Sequence, residues 1–396
     1  MERKKIEVGI LPNYFLKENG TFDIEGALKL SSQIAGVCYD KEGFDHVNVS
    51  EKATQARLNR TINNGHHSVY DHVTISFNLK NLPKILAMVL NNEHQYTTSE
   101  KSARYTPLNA STVTEEEARL YAKWIEIFKI KIKAKYGYIY DDSKIQKLAQ
   151  ENARYLVTVF MPTQMVYTTS LRQINYLASW MQEYIIQADA SDYFERQLAL
   201  SMQEMIDGLH SVNVLDDRLM QNEKHRSISL FGTNLAEKEI HFGDVYSTHY
   251  KASFAELAQA QRHRTLDYQL EMLDEREYFV PPIIADESGL VDEWLNDMNI
   301  VSEVRPQGEM VLVSEVGKYE DFILKCKERL CSAAQLEIML QTRKTLLEYK
   351  KALEKSKNPL AQDIAKYSHG ARCTFPDFKC TEDCHFAEGK TLKRTI

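Results

Sequence analysis

The sequence contains no apolar run close to the roughly 20 residues that a membrane-spanning helix needs. Its start, Met-Glu-Arg-Lys-Lys-Ile-Glu-Val, lacks the apolar core of a signal peptide. These absences predict a cytoplasmic protein with reduced thiols and no membrane partner. Its six cysteines are therefore not expected to form a disulfide framework.

Several motifs of common enzyme classes are also missing. The chain has no Gly-rich phosphate loop, no dinucleotide fingerprint and no Gly-x-Ser-x-Gly. Cys38 has no candidate base nearby in the sequence, so a thiol nucleophile is not supported. A net charge of −7 argues against non-specific binding of nucleic acid.

The remaining composition is that of an ordinary soluble protein. The 396 residues, 43% hydrophobic and 27% charged, are enough for two or three domains. Periodicity predicts an α+β fold with strands at 5–11, 73–79 and 239–248, whereas 156–169 is ambiguous between strand and helix. Predicted helices cover 24–36, 49–64, 82–92, 114–136, 143–155, 170–187, 190–209, 251–263, 289–299, 318–329 and 332–356.

The two halves of the chain repeat one order of predicted elements. Each runs from strand to helix, polar loop, extended segment and paired helices, which indicates an internal duplication. Periodicity is lost over 210–228. We therefore predict a first repeat at 1–212, a shortened second repeat at 213–356 and a Cys- and His-containing tail at 357–396.

The stretch 93–107 contains three polar residues spaced two apart, Glu100, Ser102 and Arg104. In an extended segment this spacing places all three side chains on one face. The Arg guanidinium suits phosphate or a planar imide. The alternative is a solvated loop with a surface ion pair.

Other polar clusters allow a ligand-binding or a structural interpretation. Arg262-His263-Arg264, with Gln259 one turn earlier, can clamp a phosphate, or can be basic charge at a helix C-terminus. His66 and Ser68, beside Gly65, can line a ligand or cap a turn. Arg154 and Arg172, each in an apolar helical context, can contact a ligand or make a structural ion pair.

The tail carries a cluster of metal-ligating residue types, Cys373, Cys380, Cys384 and His385. Four such residues can close a tetrahedral zinc site, although the spacing is not that of two Cys-x-x-Cys pairs. Structural zinc and free thiols both remain open.

Together these motifs resemble the flavin-dependent thymidylate synthases. That family's signature joins Arg-His-Arg to a downstream Glu-x-Ser-x-Arg-Tyr. Residues 92–105 resemble its second part, with Asn92-Glu93-His94 in place of the first, and 259–272 resemble its first part only. Other resemblances are spread over both halves: Gly65-His66-His67-Ser68, Ala153-Arg154, Ser170-Leu171-Arg172, Tyr278-Phe-Val-Pro, Arg329 and Ala334-Gln335-Leu336-Glu337-Ile338.

The resemblance divides the family's site between the two halves. The first half keeps the Glu-x-Ser-x-Arg part and the second keeps Arg-His-Arg with the late Arg329, where the first half has Met181. We therefore expect one complete and one degenerate pocket in a tandem repeat. A homodimer would then form a pseudo-tetramer.

The resemblance implies reductive methylation of dUMP to dTMP. It implies FAD as cofactor, with methylenetetrahydrofolate and NADPH as co-substrates. Arg329 on the uracil imide and Ser102 are the implied catalytic residues. The implied substrate-binding residues are Gln259, Arg262, Glu100, Lys101, Ser102, Ala103, Arg104 and Arg154. The implied FAD contacts are His66, Ser68, Arg262, His263, Arg264, Glu100 and Arg172.

Three alternatives stay open at this point. The first is the same fold acting on another pyrimidine nucleotide, to which the substitution Ser170 could contribute. The second is a non-catalytic flavin- or nucleotide-binding homologue. The third is an interaction protein with a zinc-binding tail.

Overall fold

The structure, a computed structural model, describes residues 4–102, 106–221, 226–381 and 383–396. It divides into two compact units that differ from the predicted domains. Unit 1 comprises Met1–Lys101 and Phe160–Ser229, and unit 2 comprises Ser102–Val159 and Leu230–Ile396. The segment 102–159, expected in the first repeat, thus belongs to the second unit.

Strands and helices are described in chain order. The strands are β1 (Glu7–Ile10), β2 (Thr74–Pro83), β3 (Tyr96–Glu100), β4 (Pro162–Ser170), β5 (His241–Phe242), β6 (Val245–Ser253), β7 (Asp267–Met272) and β8 (Met310–Lys318). The helices are α1 (Ile24–Ile34), α2 (Glu51–Asn63), α3 (Lys84–Leu90), α4 (Glu115–Tyr136), α5 (Asp142–Ala153), α6 (Leu171–Gln187), α7 (Tyr193–Ser211), α8 (Asp217–Met220), α9 (Phe254–Ala260), α10 (Ser288–Ile300), α11 (Tyr319–Arg329), α12 (Leu336–Ser356), α13 (Leu360–Ile364) and α14 (Ala387–Lys390).

Unit 1 is built on an antiparallel sheet in the order β1-β2-β4-β3. In β2, Ile75, Phe77 and Leu79 alternate with more exposed residues and are fully buried, as expected for a strand with one face on a core. Its Phe77 pairs with Tyr167 of β4. The segment that was ambiguous in the sequence is therefore a strand from Pro162 onward.

Unit 2 contains a second antiparallel sheet in the matching order β5-β6-β8-β7. The predicted strand at 239–248 and helix at 251–263 need correction here, because β6 runs to Ser253 and α9 covers only Phe254–Ala260. Tyr246, Tyr250 and Ala252 alternate toward the core and extend the strand. The helix begins where the Ser253 hydroxyl accepts from the backbone N–H of Glu256 (3.1 Å).

The mixed α and β architecture confirms the predicted fold class. Both sheets share one strand order and both connect their second strand directly to a seven-residue helix, α3 or α9. This repetition is what a tandem duplication predicts. The duplication itself stays a prediction.

The segment 102–159 contributes α4 and α5 to unit 2. A capping box starts α4, where Thr114 and Glu117 bond reciprocally. Trp124 packs edge-on against Trp294 (4.8 Å between centroids), and its indole N–H donates to Asp297 (2.7 Å). Burial of two indoles makes this contact a main part of the unit's core.

The tail also packs into unit 2. Tyr136 at the end of α4 donates its hydroxyl proton to Glu388 (2.9 Å), and its ring lies edge-on to Phe386 (5.5 Å). The Arg394 guanidinium is buried and donates to the carbonyl of Ala334 (2.6 Å). Residues 357–396 are therefore a structural part of this unit.

The described residues include no helix that is long and apolar enough to cross a membrane.

A buried charge network lies inside unit 2. The Glu315 carboxylate on β8 accepts from the hydroxyls of Tyr246 (2.5 Å) and Tyr250 (2.6 Å) and from Lys325 Nζ (2.6 Å). Glu315 and Lys325 are at most 1% exposed. Such a pair is tolerated because each charge has a partner and the remaining carboxylate lone pairs are hydrogen-bonded. It fixes α11 against the sheet.

Breaking this pair on one side should be strongly destabilising. We expect Lys325→Met to lower the free energy of unfolding by about 3–5 kcal/mol, because it leaves the Glu315 carboxylate buried without its cation. The double variant Lys325→Met with Glu315→Gln should recover most of this loss. Urea unfolding followed by circular dichroism measures both, and equal stability of Lys325→Met and the wild type would contradict the network.

Candidate functional site

The short helix α9 delivers two of the predicted residues to one place. All seven of its residues, Phe254–Ala260, are buried, so packing holds the helix in place on every side. Gln259 lies near its end, and the chain then turns so that the His263 N–H bonds to the Ala260 carbonyl (2.9 Å). His263 is 4% exposed, whereas Arg262 and Arg264 on either side of it are exposed.

Arg329, the last residue of α11, joins this group. Its Nε donates to His263 Nε2 (2.7 Å), and its Nη2 donates to the backbone carbonyl of Gln259 (3.1 Å). Gln259 and Arg329, expected to contact the nucleotide, and His263, expected to contact FAD, are thus in direct contact. We refer to them as the Arg329 cluster.

The Arg329 cluster requires a neutral histidine. Since Nε2 accepts the bond from Arg329, the ring proton of a neutral His263 resides on Nδ1. Burial, together with the charges of Arg329 and Lys325, lowers the pKa of His263 to about 2. Burial also lowers the pKa of Arg329. The positive charge of the cluster therefore resides on the guanidinium.

Arg154 belongs to the same unit, and its neighbour Tyr155 bonds to a buried carboxyl group. Glu337 at the start of α12 accepts from the Tyr155 hydroxyl (2.9 Å), from Ser253 N (2.8 Å) and from Ser253 Oγ (2.6 Å). Burial raises the pKa of Glu337, and Arg154, 6% exposed, lowers it. Glu337 thereby ties the residue next to Arg154 to the cap of α9.

The tail supports the end of α11. The carbonyls of Lys327 and Leu330 at this helix end accept from Arg372, from Nη1 (3.2 Å) and from the backbone N–H (2.7 Å) respectively. Lys327 Nζ also bonds to Asp377 (2.6 Å). Helix-terminal carbonyls need such external donors, so the tail fixes the turn that carries Arg329.

Glu256 is a feature of the site that the sequence analysis missed. It is fully buried on α9, one turn before Gln259, and neither carboxyl oxygen has a hydrogen-bond partner among the described residues. The net effect of its surroundings raises the pKa of Glu256 to about 8. Burial is the main cause, Glu337 and Glu315 act in the same direction, and Lys325 and Arg329 oppose it. A glutamate inside the apolar run Phe254–Ala258 was the available signal.

Unit 1 places several predicted residues in ion pairs. The Glu100 carboxylate, at the end of β3, accepts from Lys84 Nζ (2.7 Å) and its side chain is 3% exposed. Arg172 Nε donates to Asp71 (3.0 Å). Arg172 thus makes an ion pair, as its structural alternative states. The Glu100 pair is buried at the end of a strand, so it is not the surface ion pair of a solvated loop.

Other predicted residues of this part of the chain lie at the surface or outside the described residues. His66 and Ser68 are exposed at the start of a 3₁₀ turn. The Lys101 N–H bonds to Gln164 (2.9 Å). Ser102 belongs to unit 2, and its carbonyl accepts from the Thr106 N–H (3.2 Å). Two predicted residues lie outside the described residues: Ala103 and Arg104.

The predicted zinc ligands lie in the tail, at Cys373, Cys380, Cys384 and His385. Within residues 4–102, 106–221, 226–381 and 383–396, no group of three or more His, Cys, Asp or Glu side chains is arranged to hold a metal ion. Cys384 is exposed, and the His385 side chain is 85% exposed with Asp383 as its neighbour (3.9 Å). Zinc at these residues therefore stays a prediction.

Comparisons with known proteins agree with the motifs. Residues 22–205 match the family model described as thymidylate synthase complementing protein. The flavin-dependent thymidylate synthase of Pyrococcus abyssi is 25% identical over 147 residues, covering 35% of this chain and 57% of that protein. The enzyme of Pyrococcus furiosus is 24% identical with the same coverage. The chain thus spans a little over half the length of these curated relatives.

Two solved structures are also similar. A UMP/dUMP methylase, PolB from Streptomyces cacaoi with 5-Br dUMP, has a TM-score of 0.34 and 14% identity, over 54% of this chain and 98% of that one. Thymidylate synthase X from Helicobacter pylori with FAD and dUMP has a TM-score of 0.32 and 17% identity, over 55% and 100%.

The buried acid Glu256 predicts a specific dependence of stability on pH. Its folded pKa of about 8 exceeds the ordinary value of 4.5, so the folded state holds a proton that the unfolded state releases between these values. The free energy of unfolding should therefore fall as pH rises from 4.5 to about 8, by up to about 1.4 kcal/mol per pH unit. Glu256→Gln cannot lose this proton and should lack the slope.

Urea unfolding at several pH values measures this slope. Glu320→Gln, at an exposed glutamate of the same unit, serves as the matched control and should keep the wild-type slope. His263 contributes a slope of opposite sign below about pH 6.5 in all three proteins, because its pKa is lowered on folding. Identical slopes in Glu256→Gln and the control would contradict the assignment of the proton to Glu256.

Proposed function

We propose that the protein is a flavin-dependent enzyme that methylates dUMP, because residues 22–205 match the family model of the thymidylate synthase complementing proteins. The proposed reaction is reductive methylation to dTMP, with methylenetetrahydrofolate as carbon donor and NADPH as source of electrons. The matched relatives carry the name flavin-dependent thymidylate synthase.

The contact of Arg329 with His263 is the observation that carries this proposal. His263, three residues after α9, and Arg329, the last residue of α11, are 66 residues apart in the sequence and in direct contact in the structure. Arg329 spends one donor on His263 and one on Gln259, and a guanidinium has five N–H donors. The remaining donors suit the planar, electron-rich edge of a pyrimidine.

The charge of the cluster matches such a ligand. His263 is neutral, so the cation nearest to a bound ring is Arg329, while the exposed Arg262 and Arg264 lie on either side of His263. Fixed cations stabilise negative charge that develops on a uracil ring or its carbonyl oxygen during reaction. The exposed arginines suit phosphate groups, which guanidinium binds in bidentate geometry.

The same residues are chemically suited to FAD. Its pyrophosphate is an anion that Arg262 and Arg264 can hold, and His263 offers a neutral flat ring beside them. When bound, reduced FAD would supply the hydride. Within this proposal the chain's own residues bind the anionic groups and orient the pyrimidine through Arg329. Glu100, Lys101, Ser102, Arg104, Arg154, His66, Ser68 and Arg172 remain predicted contacts, and a homodimer remains the predicted assembly.

Release of tritium from dUMP labelled at C5 tests the proposal. With FAD, NADPH and methylenetetrahydrofolate the wild type should release tritium, and Arg329→Met should reduce the rate by about 100-fold or more, as removal of one fixed donor to a developing anion does. Arg276→Ala removes an exposed arginine of the same unit, paired with Glu303, and is the control that should keep wild-type activity.

Three results would contradict part or all of the proposal. If the protein binds FAD but releases no tritium from dUMP, it is not a thymidylate synthase. If labelled UMP replaces dUMP as the better substrate, the enzyme class holds but the nucleotide is wrong. Wild-type activity of Arg329→Met would remove Arg329 from the site.

A further inference from the structure

Unit 1 contains a position-for-position counterpart of the Arg329 cluster. His263 lies nine residues after the first residue of α9, and Glu93 lies nine residues after the first residue of α3. Arg329 is the eleventh residue of α11, and the eleventh residue of α6 is Met181. The helices α3 and α9 each follow the second strand of their sheet, and α6 and α11 each follow the strand paired with it.

The chemistry of these positions is inverted in unit 1. A neutral histidine and an arginine in unit 2 correspond to a carboxyl group, Glu93, and an apolar side chain, Met181. Glu93 and Met181 are fully buried. A buried carboxylate needs a cation and donors close by, and α6 does not provide one at this position.

Arg226, from the segment that leads out of unit 1, provides the missing cation. Its Nη2 bonds to Glu93 Oε2, and its guanidinium carbon lies 3.7 Å from the centroid of the Trp180 ring, the residue before Met181. Stacking of this kind suits the flat guanidinium. An arginine thus contacts the corresponding loop residue in each unit. In unit 2 Arg329 of α11 contacts His263, and in unit 1 Arg226 of the segment 226–229 contacts Glu93.

Ser229, three residues after Arg226, also bonds to this loop. Its N–H donates to Glu93 Oε1 (2.6 Å), and its hydroxyl accepts from Asn92 Nδ2 (2.9 Å). Both oxygens of Glu93 are therefore bonded to residues of 226–229. Asn92 and Glu93, which correspond to the loop residues of the Arg329 cluster, are thus hydrogen-bonded to residues of the same chain.

We propose that the segment 226–229 closes the counterpart site of unit 1, with Arg226 as an internal substitute for Arg329, so that each chain binds one pyrimidine nucleotide. This count rests on the proposed function, whereas the closure itself does not. An anionic nucleotide is excluded from the counterpart because it would face the Glu93 carboxylate and would have to displace the guanidinium from it.

Equilibrium dialysis with labelled dUMP measures the count. The full-length protein should bind one dUMP per chain, Arg329→Met should bind none, and Arg226→Ala should still bind one because Glu93 remains. Two dUMP per chain in the wild type, or one in Arg329→Met, would overturn the proposal. If the wild type binds none, the proposed function fails, and the closure is judged by the next measurement alone.

Quenching of tryptophan fluorescence by acrylamide tests the closure without nucleotide. Of the three tryptophans, Trp124 and Trp294 are fully buried, so a change in quenching reports on Trp180. Arg226→Ala and Glu93→Gln should each raise the quenching constant, because the guanidinium no longer covers the indole. Arg196→Ala, which removes an arginine near Tyr193 in the same unit, should leave it unchanged. Unchanged quenching in both Arg226→Ala and Glu93→Gln would refute the closure.

Discussion

The hydrogen bond from Arg329 to His263 is the constraint on which the site of unit 2 depends. The partly buried guanidinium of Arg329 needs hydrogen-bond acceptors, and a protonated histidine could not serve as one. Burial and the nearby cations keep His263 neutral, so the bond and the low histidine pKa support each other. The rest of the unit holds the two helix ends in position for this bond. Glu337 fixes the start of α9, the Glu315–Lys325 pair fixes α11, and Arg372 of the tail bonds the last carbonyls of α11.

The two units show how one framework can carry opposite charge patterns. In unit 2 the buried residue of the loop after α9 is the neutral His263, and α11 supplies the cation, Arg329. In unit 1 the buried loop residue is Glu93, so the cation is recruited from Arg226. The stretch 93–107, half of a family motif, begins with this residue. Its Glu100 is paired with Lys84 within the same unit.

Local motifs in the sequence selected residues that the structure brings together, and their role in a site stays a prediction. Gln259, His263 and Arg329 were found by motif and are in contact. The strand and helix near 251–263 were misplaced because the alternation of β6 continues to Ser253, and only the cap at that residue starts the helix. Segment 102–159 was assigned to the first repeat because chain order gives no information on which sheet a helix packs against. Arg226 and Glu256 act through long-range contacts and burial, which a local pattern does not show.

A flavin difference spectrum on adding dUMP tests the central claim most directly. Purified protein reconstituted with FAD should show a shift of the flavin absorbance bands that saturates with dUMP, because the account places pyrimidine and flavin at the Arg329 cluster. The same titration of Arg329→Met should show no saturable shift, with flavin still bound. A wild-type protein whose bound FAD does not respond to dUMP, or a variant that responds as the wild type does, would contradict the account.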